Sequence, residues 1–238
     1  MSLTYNPAIA KSVSLGLNLV QAWAARSFLQ IQVLLAALGL VTLPVFLQAP
    51  LVRYFPWVTL VLTTVWLALG SYLLKRRGGE VWGDLLIGFG WIWLTGSIYW
   101  GWFRWEPVVH LPIEALGLPI ALGCLYLGVG RVGSYFFLGS LLGTAITDLY
   151  INWMGLFPVW RQLMAAEPEL TPVILQAAAA GLQTNVAAGR AVVLATFLLV
   201  ATAISLVTSR QLAWWAFGGA LLSTLVVDGL FFIGAILA

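Results

Sequence analysis

The sequence predicts an all-α integral membrane protein of about seven transmembrane helices, with an N-terminal interfacial helix and a partly helical outer loop. Three observations lead to this class. Of the 238 residues, 62% are apolar and only 8% are charged, whereas about 25% of the residues of a soluble domain are charged. The mean hydropathy is +1.00. Uncharged apolar windows of about 20 residues, the length that crosses a bilayer core, recur along the chain.

Residues 1–28 precede the first of these windows and are predicted to form a cytoplasmic interfacial helix. Asn6 followed by Pro7 is typical of a helix start. The apolar residues that follow recur at helical spacing on one face and polar residues occupy the other, as in helices that lie in the membrane interface. The apolar face consists of Ile9, Val13, Leu17 and Val20.

Seven windows are long enough to be spans, and with their connections they predict a single polytopic domain over residues 29–238. Open strands are excluded because lipid offers no partner to an unpaired backbone group. The predicted spans are Leu29–Gln48, Tyr54–Leu74, Leu85–Phe103, Val108–Val129, Gly133–Trp153, Ala191–Thr208 and Leu212–Leu237.

The longest connection, from Phe157 to Arg190, is the predicted outer loop. Prolines interrupt it, and Thr171 followed by Pro172 indicates the start of a further surface helix. Long loops on otherwise compact proteins are often functional.

The basic residues predict the orientation of the chain. With seven spans, one membrane face receives seven of them and the other receives four. The positive-inside rule makes the first face cytoplasmic, so the N-terminus is expected inside and the C-terminus on the opposite side. The first set is Lys11, Arg26, Lys75, Arg76, Arg77, Arg131 and Arg210, and the second is Arg53, Arg104, Arg161 and Arg190.

An internal similarity occurs at an offset of 80 residues. Residues 139–148, GSLLGTAITD, align with residues 219–228, GALLSTLVVD. Both segments run in the same direction through the membrane, which predicts a parallel two-helix repeat over about 108–155 and 190–237.

The repeat also carries pairs of small residues four positions apart. They are Gly139 with Gly143, and Gly219 with Ser223. Such pairs allow helix backbones to approach closely in lipid. We therefore expect these residues to form helix–helix contacts.

Three acids, Glu114, Asp148 and Asp228, fall within predicted spans. A carboxylate at the centre of a membrane helix costs at least about 2.5–3.5 kcal/mol, so such acids usually face protein, water or a ligand. Helix rise places all three at a similar depth, in the outer third of the membrane. We expect them to converge on one polar cavity open to the outer face, with His110 and Arg190 at its rim.

In the alternative, each acid is satisfied separately, Asp148 for example by Thr144 or Asn152 on its own helix. Asp84 and Glu80 lie beside a basic stretch at the cytoplasmic boundary. They are expected to form a solvated helix start.

The sequence lacks the motifs of several enzyme and binding classes. It contains no Rossmann, Walker, HExxH or Gly-x-Ser-x-Gly pattern. One histidine and one cysteine cannot form a His/Cys metal site, so no metal site is predicted. The net charge of +3, spread over two faces, argues against nucleic-acid binding. The cofactor stays open, with a pigment, a quinone or a lipid as candidates.

The segments 110–115 (HLPIEA), 139–150 (GSLLGTAITDLY) and 158–164 (PVWRQLM) resemble a cyanobacterial family of multipass proteins of unknown function. The resemblance implies a photosynthetic host and a thylakoid or plasma membrane. A weaker resemblance is to membrane-embedded lycopene cyclases. Pro112-Ile-Glu114 follows the aromatic stretch 99–105, but Ala115 stands where those enzymes have a second glutamate. That resemblance implies Glu114 as an acid acting on a polyene.

Three functions follow from these observations. The favoured one is a non-enzymatic accessory protein that binds a hydrophobic ligand or assists assembly of a photosynthetic complex. The alternative is a small proton- or cation-coupled transporter that uses the intramembrane carboxylates. A second alternative is an isoprenoid or carotenoid enzyme with Glu114 as acid. The expected partners are the lipid bilayer and either photosynthetic complex subunits or further copies of the chain.

Overall fold

The computed structural model describes the chain from Pro7 to Leu237, and its side chains from Ser27 onwards except that of Pro168. This part of the chain is built from helices. They are α1 (Pro7–Tyr54), α2 (Pro56–Leu74), α3 (Glu80–Ile98), α4 (His110–Glu114), α5 (Leu118–Tyr126), α6 (Arg131–Trp153), α7 (Phe157–Ala165), α8 (Thr171–Leu182), α9 (Asn185–Thr208) and α10 (Leu212–Leu237).

Seven stretches are long and apolar enough to cross a membrane, as the sequence predicts. The chain is therefore an all-α multipass membrane protein. The observed ends differ from the predicted ones by a few residues at most positions. The seven are Ser27–Tyr54, Pro56–Leu74, Glu80–Phe103, Pro107–Tyr126, Arg131–Trp153, Asn185–Thr208 and Leu212–Leu237.

The expected interfacial helix is not separate from the first span along the backbone. α1 continues from Pro7 to Tyr54 in one helix. The predicted start at Asn6 and the side chains of the expected apolar face lie outside the described residues. Placement of this segment in the membrane interface stays a prediction.

Consecutive spans alternate in direction, and this defines two sides of the protein. The N-terminal side holds the turns at 75–79, 127–130 and 209–211. The C-terminal side holds residues 104–106, α7 and α8. α8 begins at Thr171, where the sequence places a helix start.

Four helices that run in the same direction, α1, α3, α6 and α10, enclose the core. α2 returns against α3, α5 against α6, and α9 against α10. Each returning helix therefore packs on the helix that follows it in the chain. The buried core residues are Val33, Ala37, Leu85, Phe89, Trp93, Phe136, Ala216 and Ala220.

The small residues of α6 and α10 lie at helix crossings. Gly139 lies against the backbone of Phe217, and Gly143 lies against Thr224, both on α10. At the crossing of α10 with α1, Gly219 lies against the backbone of Leu34. Here the small pairs of α6 and of α10 pack on different helices.

Ser223 completes the second crossing. Its hydroxyl lies 3.0 Å from that of Thr42 on α1. In lipid, where burial of apolar surface gives little drive for association, close packing and hydrogen bonds of this kind hold helices together.

Asp84 corrects one expectation. It is not a solvated acid beside its own helix start, because its Oδ2 accepts a 2.8 Å hydrogen bond from the backbone amide of Val132. Gly88 and Gly133 let α3 and α6 approach closely at this point, since a Cβ on either would collide with the other helix. Glu80, by contrast, is exposed.

The fourth span is broken near its middle. α4 ends at Glu114, a short 3-10 turn covers Ala115–Gly117, and α5 begins at Leu118. Pro119 is the second residue of α5. The first amides of a helix have no partner within it, so the missing amide hydrogen of proline costs no hydrogen bond there. Gly117 lies against the ring of Phe137, and a Cβ at this position would collide with that ring. The break places Glu114 at the end of a single helical turn that faces α6.

Candidate functional site

His110 is the centre of a cluster of ionisable side chains inside the spans. Its Nδ1 lies 2.9 Å from Oδ1 of Asp148 on α6, and its Nε2 lies 3.3 Å from Oε1 of Glu114 on α4. The three side chains are 12–16% exposed. We call these three residues the His110 cluster.

The local helices explain why these three groups meet. His110 and Glu114 are four residues apart on α4, so they share one face of that single turn. Oε2 of Glu114 accepts a 2.8 Å hydrogen bond from Thr144, one turn before Asp148 on α6. Both oxygens of Glu114 therefore have partners. Thr144 bonds to Glu114 across the helix interface, whereas the sequence suggested it as a partner for Asp148.

Asp228 contacts α6 beside the cluster through a hydroxyl. Its Oδ2 accepts a 2.9 Å hydrogen bond from Thr147, the residue before Asp148. The polar contacts thus extend from α4 through α6 to α10. The structure brings Glu114 and Asp148 together at His110, and it links Asp228 to the same part of α6.

The cluster lies towards the C-terminal side. Asp148 is five residues before the end of α6, which is about 8 Å along the helix. His110 is three residues after the start of the fourth span at Pro107. His110 and Asp148 are therefore closer to the ends of their spans on that side than to the middle of those spans.

Aromatic rings surround His110. The ring centroid of Tyr99 lies 4.2 Å from that of His110, and those of Trp100 and Trp160 lie 6.3 and 6.0 Å away. Tyr99 is fully buried. It begins a π-helical turn, Tyr99–Phe103, at the end of α3, and such turns recur at functional sites.

Helix α7 covers this side of the cluster. Trp160 donates a 2.8 Å hydrogen bond from Nε1 to the carbonyl of Arg104. Its neighbour Arg161 forms a 2.7 Å ion pair with Glu106, and both side chains are nearly half exposed. That hydrogen bond from Arg161 lowers the pKa of Glu106. Burial, together with the nearby charge of Arg53, lowers the pKa of Arg104.

Arg190 contacts the end of α6, the helix that carries Asp148. Its Nη1 donates a 2.7 Å hydrogen bond to the carbonyl of Trp153, and its guanidinium lies 5.0 Å from the centroid of that ring. It thereby ties the start of α9 to the end of α6. Its position at the rim of the acids stays a prediction.

The two contacts of His110 restrict where protons lie between its ring and the two acids. A carboxylate oxygen faces each ring nitrogen, and a close nitrogen–oxygen contact is favourable only with a proton between the two atoms. Two arrangements satisfy this condition. Either an imidazolium lies between two carboxylates, or a neutral imidazole lies beside one carboxylate and one carboxylic acid. The two arrangements differ by the shift of one proton between a ring nitrogen and a carboxylate oxygen.

Metal binding is not what the geometry favours. Across the described residues, no group of three His, Cys, Asp or Glu side chains is arranged to hold a metal ion. The cluster is instead satisfied internally by hydrogen bonds, as buried polar groups require.

Several residues of the site were not singled out from the sequence. Tyr99 and Trp160 belong to a chain rich in aromatics, so composition alone does not distinguish them. The sequence marks Thr147 only weakly as a site residue, through its place next to an intramembrane aspartate. Only the packing of α6 on α10 turns its hydroxyl towards Asp228.

The comparisons with known proteins give a family and no activity. The model of a family described as a protein of unknown function, DUF3120, matches residues 37–236. Comparison with curated proteins gave no match, and neither did comparison with solved structures. The matched region includes most of the first span, the other six spans and the whole ionisable site. The chain belongs to the DUF3120 family of proteins of unknown function.

Proposed function

We propose that this protein moves protons across the membrane, alone or coupled to a solute, and that the His110 cluster is its proton-binding site. The observation that carries the proposal is the position of His110 between two carboxylates, Asp148 and Glu114, within membrane spans. Ionisable groups inside spans are costly, and those that are kept commonly serve proton relays. Among the functions predicted from the sequence, these contacts support a coupled transporter more than an accessory protein.

Buried hydroxyls extend from the cluster towards the N-terminal side. Ser140 lies one turn before Thr144 on α6, and Thr224 lies one turn before Asp228 on α10. Ser140 is 6% exposed and Thr224 is 8% exposed. These hydroxyls lie on the two helices that also carry Asp148 and Asp228. Together with water, such groups supply steps for a proton.

The test is proton movement in a defined system. We would reconstitute the full chain into liposomes that contain a pH-sensitive dye, and drive protons inward with a potassium diffusion potential. We expect faster acidification than in protein-free liposomes, and at least a tenfold loss for Asp148→Asn, since general acid–base groups contribute factors of about 10²–10⁴.

Glu80→Gln is the matched control, because Glu80 is an exposed acid at the start of α3. It should acidify the liposomes at the wild-type rate. Equal rates for wild type, Asp148→Asn and protein-free liposomes would overturn the proposal.

The second candidate is an accessory protein that binds a pigment, a quinone or another flat hydrophobic ligand. The rings of Tyr99, Trp100 and Trp160 around His110 favour it, because aromatic faces are common linings of such sites. Its partners would be photosynthetic complex subunits or a second copy of the chain. Purification in mild detergent, followed by absorbance and mass spectrometry, tests it.

For this candidate, Trp160→Ala should release a co-purified ligand while Trp105→Ala, an exposed ring on the same side, retains it. A protein that purifies without pigment, quinone or partner subunits would exclude the accessory function.

We also propose that the N-terminal side faces the cytoplasm, in a thylakoid or plasma membrane. The excess of basic residues in its connections supports this. A cysteine at Gly78 or at Thr184, each in a Cys124→Ser background, tests the orientation in whole cells. A membrane-impermeant maleimide should label the cysteine at 184 and not that at 78, and the reverse result would invert the assignment.

A further inference from the structure

An apolar groove opens between α1, α2 and α3 on the N-terminal side, away from the His110 cluster. Its volume is about 390 Å³, within the range of ligand pockets. α1 contributes Gly39, Leu40 and Leu43, α2 contributes Leu73, and α3 contributes Trp82 and Leu86.

The apolar lining of the groove suits a hydrocarbon chain. It follows α1 from Ala36 to Leu43, which is about 10 Å along the helix. Gly39 keeps it open, because a Cβ at this position would have no atom within 4 Å. Leu43 is 60% exposed, so the groove is continuous with the surface of the spans.

A basic turn joins two of the helices that border the groove. The turn Lys75-Arg76-Arg77 joins α2 to α3, and groove residues stand on both sides of it, with Leu73 before and Trp82 after. All three cations are exposed. Arg76 is held over the ring of Tyr72, 4.7 Å from its centroid. The acid nearest in the chain is Glu80, also exposed, so the segment keeps a positive charge.

We propose that this groove and turn bind one anionic glycerolipid, with an acyl chain in the groove and its phosphate on the Lys75–Arg77 turn. An apolar groove, with three exposed cations on the turn between two of its helices, matches the two parts of such a lipid. Basic clusters beside transmembrane helices recognise anionic headgroups in this way. The proposal is independent of the proton-transfer function, because it uses other helices and the opposite side.

The test is native mass spectrometry of the full-length protein in detergent, with phosphatidylglycerol and phosphatidylcholine of identical acyl chains. We expect phosphatidylglycerol to bind more tightly. Removing two charges with Arg76→Gln and Arg77→Gln should weaken it about 25-fold, since each cation near a headgroup contributes a factor of about five. Arg131→Gln is the charge control, because Arg131 is exposed on the same side at α6.

Gly39→Leu tests the acyl chain by filling the groove, and should reduce binding of both lipids. Gly123→Leu is its control, because a Cβ there also meets open space. Equal binding of the two lipids by wild type would overturn the proposal. So would equal effects of Gly39→Leu and Gly123→Leu, or a neutral isoprenoid occupying the groove in place of phospholipid. If Gly39→Leu fails to fold, the Arg76→Gln and Arg77→Gln variants still test the proposal.

Discussion

The carboxylate of Asp84 on α3 accepts a 2.8 Å hydrogen bond from the backbone amide of Val132, the second residue of α6. The first amides of a helix have no partner within it, and they carry the positive end of its dipole. Gly130, which precedes α6, adopts a left-handed conformation and supplies no side-chain cap of its own. A side chain of α3 therefore caps the N-terminus of α6 where the two helices cross.

Replacement of Asp84 by alanine should destabilise the protein by about 0.5–2 kcal/mol, the usual cost of losing an N-terminal cap. Asp84→Asn should lose less, because its amide oxygen still accepts a hydrogen bond. Thermal unfolding in detergent micelles measures both, with Glu80→Ala as the exposed control. Equal unfolding midpoints for Asp84→Ala and Glu80→Ala would contradict the capping role.

A double-mutant cycle should show strong coupling between His110 and Asp148. His110→Ala removes the contact of Asp148, and Asp148→Ala leaves His110 with Glu114 alone. We expect each change to lower the free energy of unfolding, by up to about 3 kcal/mol. The double variant should lose less than the sum, by about 0.5–3 kcal/mol. Thr64, an exposed residue on α2, provides an unrelated alanine variant whose effect should add to that of Asp148→Ala. Simple additivity of His110→Ala and Asp148→Ala would show that the 2.9 Å contact contributes nothing.

Gly139→Leu should separate α6 from α10. An added Cβ would lie 2.6 Å from the carbonyl oxygen of Phe217, and overpacking of this kind typically costs about 1–3 kcal/mol. Gly234→Leu, near the end of α10 with open space around its Cβ, should unfold like the wild type. The measurement is the unfolding midpoint in mixed micelles. A wild-type midpoint for Gly139→Leu would mean that the crossing is looser than described.

Acidification should loosen the docking of α7. The hydrogen bond from Arg161 lowers the pKa of Glu106 while α7 is docked. This contact therefore contributes its full stability at neutral pH. The contribution begins to fall once the pH drops below about 4.3, the ordinary pKa of glutamate, and it is lost as the pH falls through the lowered pKa of Glu106. Amide exchange over residues 157–165, corrected for intrinsic rates, should rise between about pH 6 and about pH 3.5.

Glu106→Gln should remove that pH dependence, because glutamine does not titrate. Glu167→Gln, an exposed acid outside α7, should leave it in place. If Glu106→Gln responded to pH as the wild type does, another group would control the docking of α7.

The sequence by itself determined the number and approximate positions of the spans. Lipid requires about 20 apolar residues per helix and leaves no backbone group unpaired, so the apolar windows were sufficient. Sequence also identified acids that are unusual in such windows, among them Glu114, Asp148 and Asp228, and the small residues of α6 and α10. These are local properties that depend only on residue type and spacing.

Tertiary structure alone decided which groups meet. His110 and Asp148 are 38 residues apart in the chain, and no spacing rule sets the rotation of α4 against α6. Asp84 was expected to be solvated but caps α6, and nothing in the sequence indicated that Arg190 donates a hydrogen bond to the carbonyl of Trp153. Every apolar helix face satisfies lipid equally well. The pairing of helices is therefore fixed by close packing and by the few polar contacts between them, and these form only when the whole bundle is assembled.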